Sequence, residues 1–400
     1  MEAARQGELT AHETVPVVSP IAQLAYVFSE YSAGTGNAMS TKINAQARAH
    51  EAMGGRTYVV VSDRREHDYA EGTLVPYAST RPRAREWFTD LERRADAVCG
   101  LALRRRPLVA RFHREALAAV PRDAKALVVY NYAGAITDRF VAGFDGKVVL
   151  HLGNEVFRSW RASEIRRVIA RTHVTVTVSD YLAETITDRL GVRPDNLHVL
   201  RNGVDTGCFR PGLRQEGMPP TILFVGNVVP HKGAHNLVRA AEVLSRRTRD
   251  FRVLIVGSSG LRPADGLSDY EVDLRRAAAP LGDLVQFTPF VDRHSLPAVY
   301  AQADVFCMPV DWQEPAGQVV TEAMAAGLPV VSARSGGIPE YLGPDGVYVD
   351  PSDPDRLADA LHALLVDPAE RSRRGATLRR RAESMTWDRN VRELMRLIGD

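Results

Sequence analysis

Residues 303–342 read ADVFCMPVDWQEPAGQVVTEAMAAGLPVVSARSGGIPEYL, and this stretch decides the architecture. An apolar, strand-like run over 305–309 is followed by a turn of small residues. Residues 318–326 then have helical spacing and stop at Gly327, the residue a helix C-terminus favours. A second apolar run, 329–333, follows at once. Strand, helix and strand in succession, with near-continuously apolar strands, predict a parallel sheet covered on both faces. Glu314 follows the first strand and Glu322 sits inside the helix, eight positions on. Both carboxylates are therefore expected at the mouth of the sheet, aimed at one polyhydroxylated ligand. Carboxylate oxygens accept directional, charge-assisted hydrogen bonds from sugar or ribose hydroxyls. The competing reading is two surface glutamates at a helix start. Pro315 and the small pair Ala316-Gly317, rather than a solvated face, argue against it.

Outward from this unit the same alternation continues. Strand candidates are 24–29, 57–63, 126–131, 148–152, 174–179 and 197–201, then 221–226, 252–257, 285–288, 305–309, 329–333 and 346–349. Helical periodicity occupies 38–53, 234–244, 318–326, 354–365 and 387–398. The strand series restarts near Pro219, after the linker-like 202–219. The predicted fold class is α/β, with two Rossmann-like, doubly wound domains facing each other across a cleft. Residues 1–20 are expected to be a mobile tail, 21–203 the first domain, 204–385 the second, and 386–400 a separate last helix.

Bulk composition is that of an ordinary globular protein: 45% apolar, 25% charged and a formal net charge of +2. That charge gives no reason to expect nucleic acid as a partner. No apolar run approaches the roughly 20 residues of a membrane span, and the N-terminus lacks a signal pattern, so a cytoplasmic location is expected. Peripheral membrane contact stays open. Cys99, Cys208 and Cys307 suggest neither a disulfide framework nor a zinc site. The chain has only four lysines, Lys42, Lys125, Lys147 and Lys232, against 47 arginines. A lysine beside a glycine turn is thereby conspicuous, because a guanidinium does not replace a compact ammonium.

Lys232 is such a residue. TILFVGNVVPHKG (221–233) runs from a buried strand through Gly226 and Asn227 to Lys232-Gly233 and a helix start. Free N–H groups, the positive end of the helix dipole and one ammonium suit a diphosphate. FSEYSAGTGN (28–37) is a second glycine turn opening a helix, with Gly34 and Gly36. Met39 stands where a dinucleotide fingerprint needs its third glycine. Polar residues cluster at two strand ends: Asn131, then His151, Asn154 and Glu155 in VLHLGNEV. That position makes them site candidates, with Asn131, Asn154 and Glu155 on the acceptor side and His151 a catalytic candidate beside Lys232 and Glu314. Asp353 and Asp355 resemble a metal-binding aspartate pair but precede a helix, so capping accounts for them. Ten arginines within 81–114 read as a solvated helical surface.

SDYLAE (179–184), NGVD (202–205), FVGNVVPHKG, ADVF, EPAGQVVTEAMAAGLPVV and GGIPE follow one another in the order found in family 4 of the retaining glycosyltransferases, which have the GT-B fold. The chain resembles that family from Ser32 onward. The WQEP, VVYN and LHLGNE strings are similar to the branch of spore-coat and lipopolysaccharide N-acetylglucosaminyltransferases, with aminoglycoside-tailoring enzymes as further relatives. The resemblance implies that Glu314, with the N–H groups of Ala316 and Gly317 and with Gln318 nearby, binds the donor sugar. Glu322 would hold the ribose, Lys232 would face the diphosphate, and Phe290 and Val291 would flank the base. Gly36 would approach the phosphates, and His151 would lie near the transferred sugar. The helix at Trp387 would cross back onto the first domain. Asn227, Ala316 and Pro289 replace the family's usual arginine, phenylalanine and glycine, which leaves the donor open.

The expected activity is transfer of a hexosyl group, with N-acetylhexosaminyl indicated by the branch, to an acceptor hydroxyl with retention. The donor is a nucleoside-diphosphate sugar, UDP-linked by expectation, and acts as co-substrate; no cofactor or metal is required. The acceptor is a small natural product or a polysaccharide precursor. Two alternatives remain: a nucleotide-sugar epimerase or hydrolase on the same fold, and a non-catalytic nucleotide-sugar-binding protein.

Overall fold

Every strand pairing among the described residues is parallel, and the strands fall into two sheets. The computed structural model describes residues 18–25, 30–63, 66–78, 95, 98, 107–212, 217–260 and 266–399. The first sheet contains β1 (Ile21–Leu24), β2 (Thr57–Ser62), β3 (Thr73–Tyr77), β4 (Ala126–Tyr130), β5 (Lys147–Leu152), β6 (Val174–Thr177) and β7 (Leu197–Val199). Its order is β3-β2-β1-β4-β5-β6-β7. The second contains β8 (Thr221–Val225), β9 (Arg252–Val256), β10 (Val285–Thr288), β11 (Val305–Met308), β12 (Val330–Ser332) and β13 (Val347–Tyr348), in the order β10-β9-β8-β11-β12-β13. In each sheet the chain starts in the middle and winds outward both ways. The order therefore reverses between β1 and β4 and between β8 and β11, and the loops at those carboxyl ends diverge to leave a crevice.

Period-two alternation explains why these strands need helices on both faces. In β8, Ile222 and Phe224 enter one core while Leu223 and Val225 enter the opposite one. In β5, Val148, Leu150 and Leu152 face one way and Val149 the other. The second of those cores also holds Ile43 and Ala49 of the helix Ala38–Ala52 and, from the far end of the chain, Trp387, Val391, Leu394 and Ile398. The last helix thus completes the core of the first sheet.

Two strands depart from expectation. The first strand lies at Ile21–Leu24 rather than over 24–29. Its central Gln23 is fully buried; its side-chain oxygen accepts a hydrogen bond from the Tyr130 hydroxyl at 2.7 Å, while its side-chain nitrogen has no partner, so a polar residue sits in a core strand only partly satisfied. Residues 26–29 lie outside the described set. β3 was not anticipated: TLVPY contains Pro76, which marks an edge, and β3 pairs with β2 alone. Residues 1–17, most of the 81–114 arginine stretch and 213–216 of the linker also lie outside the described residues.

The GGIPEYL end of the opening stretch joins the two sheets. Glu340 accepts the N–H groups of Asp180 at 2.7 Å and Tyr181 at 2.8 Å, and the Arg201 guanidinium at 3.0 Å. It thereby satisfies the first donors of the helix Asp180–Leu190 from outside that helix. The Tyr341 hydroxyl donates to the Val178 carbonyl at 2.6 Å and accepts from the Asn202 N–H at 3.1 Å. Glu340→Ala is expected to lower the unfolding free energy by about 2 kcal/mol, the range for hydrogen bonds to a charged group, with Glu340→Gln recovering part of it. Urea denaturation checks this, and an unchanged midpoint would contradict it.

Candidate active site

The loops after β8 and β11 form one wall of the cleft. Beyond β8 the chain passes Gly226 and a turn, Pro230–Lys232, to Gly233, which has φ +80°. A Cβ on Gly233 would stand 1.7 Å from the Pro309 carbonyl oxygen, so only glycine permits the close approach of these two loops. That approach sets Lys232 against Glu314: Nζ to Oε2 is 2.5 Å. The Trp312 indole N–H donates to the same oxygen at 3.0 Å, and the ammonium lies 4.9 Å from the Trp312 ring centre. Glu322, on the helix Gln318–Ala325, is fully buried and also doubly held. Arg293 donates to it at 2.6 Å and Tyr300 at 3.0 Å. Burial first, and the Glu322 charge second, push the Tyr300 phenol far up, so it stays a donor. The backbone N–H of Arg293 donates to the Ala33 carbonyl of the facing domain at 3.2 Å.

The opposite wall comes from the first sheet. Asn131 leaves β4 with φ +57°, the sole non-glycine residue with positive φ among those described. Its N–H donates to the His151 carbonyl at 2.8 Å, and its side-chain oxygen accepts from Gly153 at 2.7 Å. His151, on β5, points to the face covered by Ala38–Ala52. There its Nε2 lies 3.4 Å from Nζ of the buried Lys42, and its ring lies 4.9 Å from that of Tyr130. Burial, and then Lys42, push the His151 imidazole well down, so it is neutral. Burial alone pushes the Lys42 ammonium down to about 7. Asn37 caps the helix through Met39 N–H at 3.0 Å, and Asp68 fixes the preceding loop through Ser32 at 2.7 Å and Ala33 at 2.8 Å.

A cleft of about 470 Å³ joins the walls. Gly36, Asn131, His151 and Asn154 line it from one side. From the other come Gly226, Asn227, Lys232, Phe290, Val291, Glu314, Ala316, Gly317, Gln318 and Glu322. Glu155 is not in this lining. It accepts from the Tyr181 hydroxyl and lines a separate small depression of about 50 Å³. The N–H groups of Gly336 and Gly337 are not free donors: they bond to the Gln313 side chain at 2.7 Å and the Glu314 carbonyl at 2.8 Å. Asp353 caps its own helix through Arg356 N–H at 3.0 Å. Lys42, Arg293 and Trp312 are among the cleft residues to which the sequence assigned no role. Among the described residues no three His, Cys, Asp or Glu side chains cluster as a metal site requires, and no helix is long and apolar enough to cross a membrane.

Lys42 has a consequence for stability. Its folded-state pKa is depressed, so unfolding takes up a proton between about pH 7 and the unfolded value near 10.5, and its burial opposes folding most below pH 7. Lys42→Met is therefore expected to raise the melting temperature at pH 6. The gain should shrink as pH rises from 7 toward 10. Thermal unfolding of both proteins across that range checks the sign.

Two family models match consecutive parts of the chain: "Glycosyltransferase Family 4" over residues 43–207 and "Glycosyl transferases group 1" over 209–381. Spore coat protein SA of Bacillus subtilis is 31% identical over 271 residues, 63% of this chain and 72% of that protein. A GDP-mannose-dependent phosphatidylinositol monomannoside mannosyltransferase of Mycobacterium tuberculosis is 36% identical over 224 residues, 51% of this chain and 56% of that protein. In structure, HepE of Anabaena in complex with UDP and glucose superposes with TM-score 0.67 at 16% identity, over 94% of this chain and 98% of that one. The chain belongs to glycosyltransferase family 4 and has its two-domain GT-B architecture.

Proposed function

We propose that the protein transfers a hexosyl group from a nucleoside-diphosphate sugar to an acceptor hydroxyl, with retention of anomeric configuration and without a metal. One observation carries the reading: Glu314 and Glu322, each held by a cation and a neutral donor, face the first sheet across one cleft. Carboxylates so fixed are pre-organised to accept from the hydroxyls of sugar and ribose. Relatives support the donor class. The mannosyltransferase is named for GDP-mannose, and HepE was solved with UDP. A UDP-linked donor and an N-acetylhexosaminyl group remain the favoured choices, and a small natural product or polysaccharide precursor the favoured acceptor.

In this reading the second-sheet wall holds the donor. Glu314 positions the sugar and Glu322 the ribose, while Phe290 and Val291 flank the base. An ammonium has three donors, and Glu314 takes one of Lys232's, so the others are available to the diphosphate. The bond from the anomeric carbon to the diphosphate breaks. The acceptor oxygen bonds to that carbon on the same face, and its proton passes to the departing phosphate oxygen. Domain closure excludes water and strengthens these interactions.

A thermal-shift screen with UDP, GDP, TDP and ADP tests donor binding; a ligand at 100 times its Kd stabilises by about 2.7 kcal/mol. With the donor identified, Glu314→Ala should lose about 2–4 kcal/mol of transition-state stabilisation, roughly 30- to 1,000-fold in turnover. Unchanged turnover removes Glu314 from the site, and a product of inverted anomeric configuration by NMR overturns retention.

A further inference from the structure

Charge in the cleft is unevenly compensated. Lys232 is paired with Glu314 and Arg293 with Glu322. Lys42 lines the same cleft, is only 6% exposed, and has no carboxylate within ion-pair distance among the described residues. The first-sheet wall around it carries His151 and the amides of Asn37, Asn131, Asn154 and Asn202, and no carboxylate among the described lining residues. Two buried polar atoms on that wall have no partner: His151 Nδ1 and the Asn202 side-chain oxygen. A charged Lys42 can only donate to Nε2, and in that pairing the ring proton of His151 sits on Nδ1. The wall thus holds one uncompensated cation and an unused N–H donor.

A buried ammonium without a counter-ion costs several kcal/mol unless it deprotonates or a ligand supplies the charge. Any apolar side chain would fill this helix position without that cost. We propose that Lys42 and His151 form a second oxyanion-binding position in the cleft, distinct from Lys232, which takes the phosphate or carboxylate of an acidic acceptor. The acceptor assignment rests on the glycosyl-transfer reading above, whereas the oxyanion position stands on the wall's own geometry. An anion there would restore the Lys42 charge and orient the acceptor from the first domain, leaving Lys232 for the donor diphosphate.

Inorganic phosphate is the probe, titrated calorimetrically into wild type, Lys42→Met and Lys42→Arg, each without nucleotide and saturated with the nucleoside diphosphate found by thermal shift. Circular dichroism establishes that the variants are folded. Wild type should bind phosphate in both states. Lys42→Met should weaken phosphate binding at least about tenfold and leave nucleotide affinity unchanged, and Lys42→Arg should retain most of it. Phosphate affinity equal in wild type and Lys42→Met, or no phosphate binding by wild type, overturns the proposal. A tenfold loss of nucleotide affinity in Lys42→Met, with phosphate excluded once nucleotide is bound, keeps the oxyanion position but assigns it to the donor diphosphate, overturning the acidic acceptor. If no nucleoside diphosphate binds wild type, the transfer reading fails, and the nucleotide-free titration still decides the Lys42 position.

Discussion

The Lys232–Glu314 pair fastens together the two loops that flank the topological switch of the second sheet. These loops leave adjacent parallel strands, β8 and β11, and would otherwise diverge. Gly233 lets the backbones touch, and the ammonium and the Trp312 indole then share one carboxylate oxygen. Held between a cation and an N–H, the Glu314 carboxylate is fixed where it lines the cleft. Glu322 repeats the arrangement with Arg293 and Tyr300. What the cleft offers a polyhydroxylated ligand depends on these two carboxylates being held in place.

The fold was legible because parallel sheets leave a strong trace. Strands buried on both faces read as apolar runs, and the intervening helices have their own period, so β8, β10, β11 and the last helix fall where the pattern puts them. The failures have physical causes. Gln23 breaks the apolar run of β1, and only its long-range bond to Tyr130 makes it tolerable, which no local pattern reveals. Pro76 interrupts the β3 run; a sheet accepts proline at its edge, and edge status is a property of the assembled sheet.

The site divides the same way. Residues on glycine turns and strand ends could be read, because the chain's topology alone delivers them to the cleft. Lys42 stands mid-helix, and its orientation depends on which face meets β5, so spacing gave no sign of it. Its signal lay in composition: of the chain's four lysines, Lys42 and Lys232 both line the cleft. In a sequence that otherwise uses arginine, retained lysines were worth following individually. Arg293 had no motif, and it becomes informative only when it is seen to bridge Glu322 and the facing loop at Ala33. Glu155 lies outside the cleft lining for the opposite reason. It sits at a strand end as required, but the Tyr181 hydroxyl draws its carboxylate away.

The contacts between the two sheets divide by distance from the chemistry. Glu340, Tyr341 and the helix Trp387–Ile398 join the domains through capped helix donors, a shared hydroxyl and a continuous apolar core. Gly203 lies against Trp387 so closely that a Cβ would stand 2.6 Å from its backbone nitrogen. At the cleft mouth the Arg293–Ala33 hydrogen bond is one of few polar contacts among the described residues, and such a bond contributes only about 1 kcal/mol net. A joint that is apolar and multiply bonded on one side, and lightly bonded across the opening, concentrates any relative movement of the domains at the cleft. Ligand groups that contact both walls therefore add to a weak native contact rather than compete with a strong one. In the proposed reading, that asymmetry would let binding energy from the two carboxylates and the lysines bring the walls together.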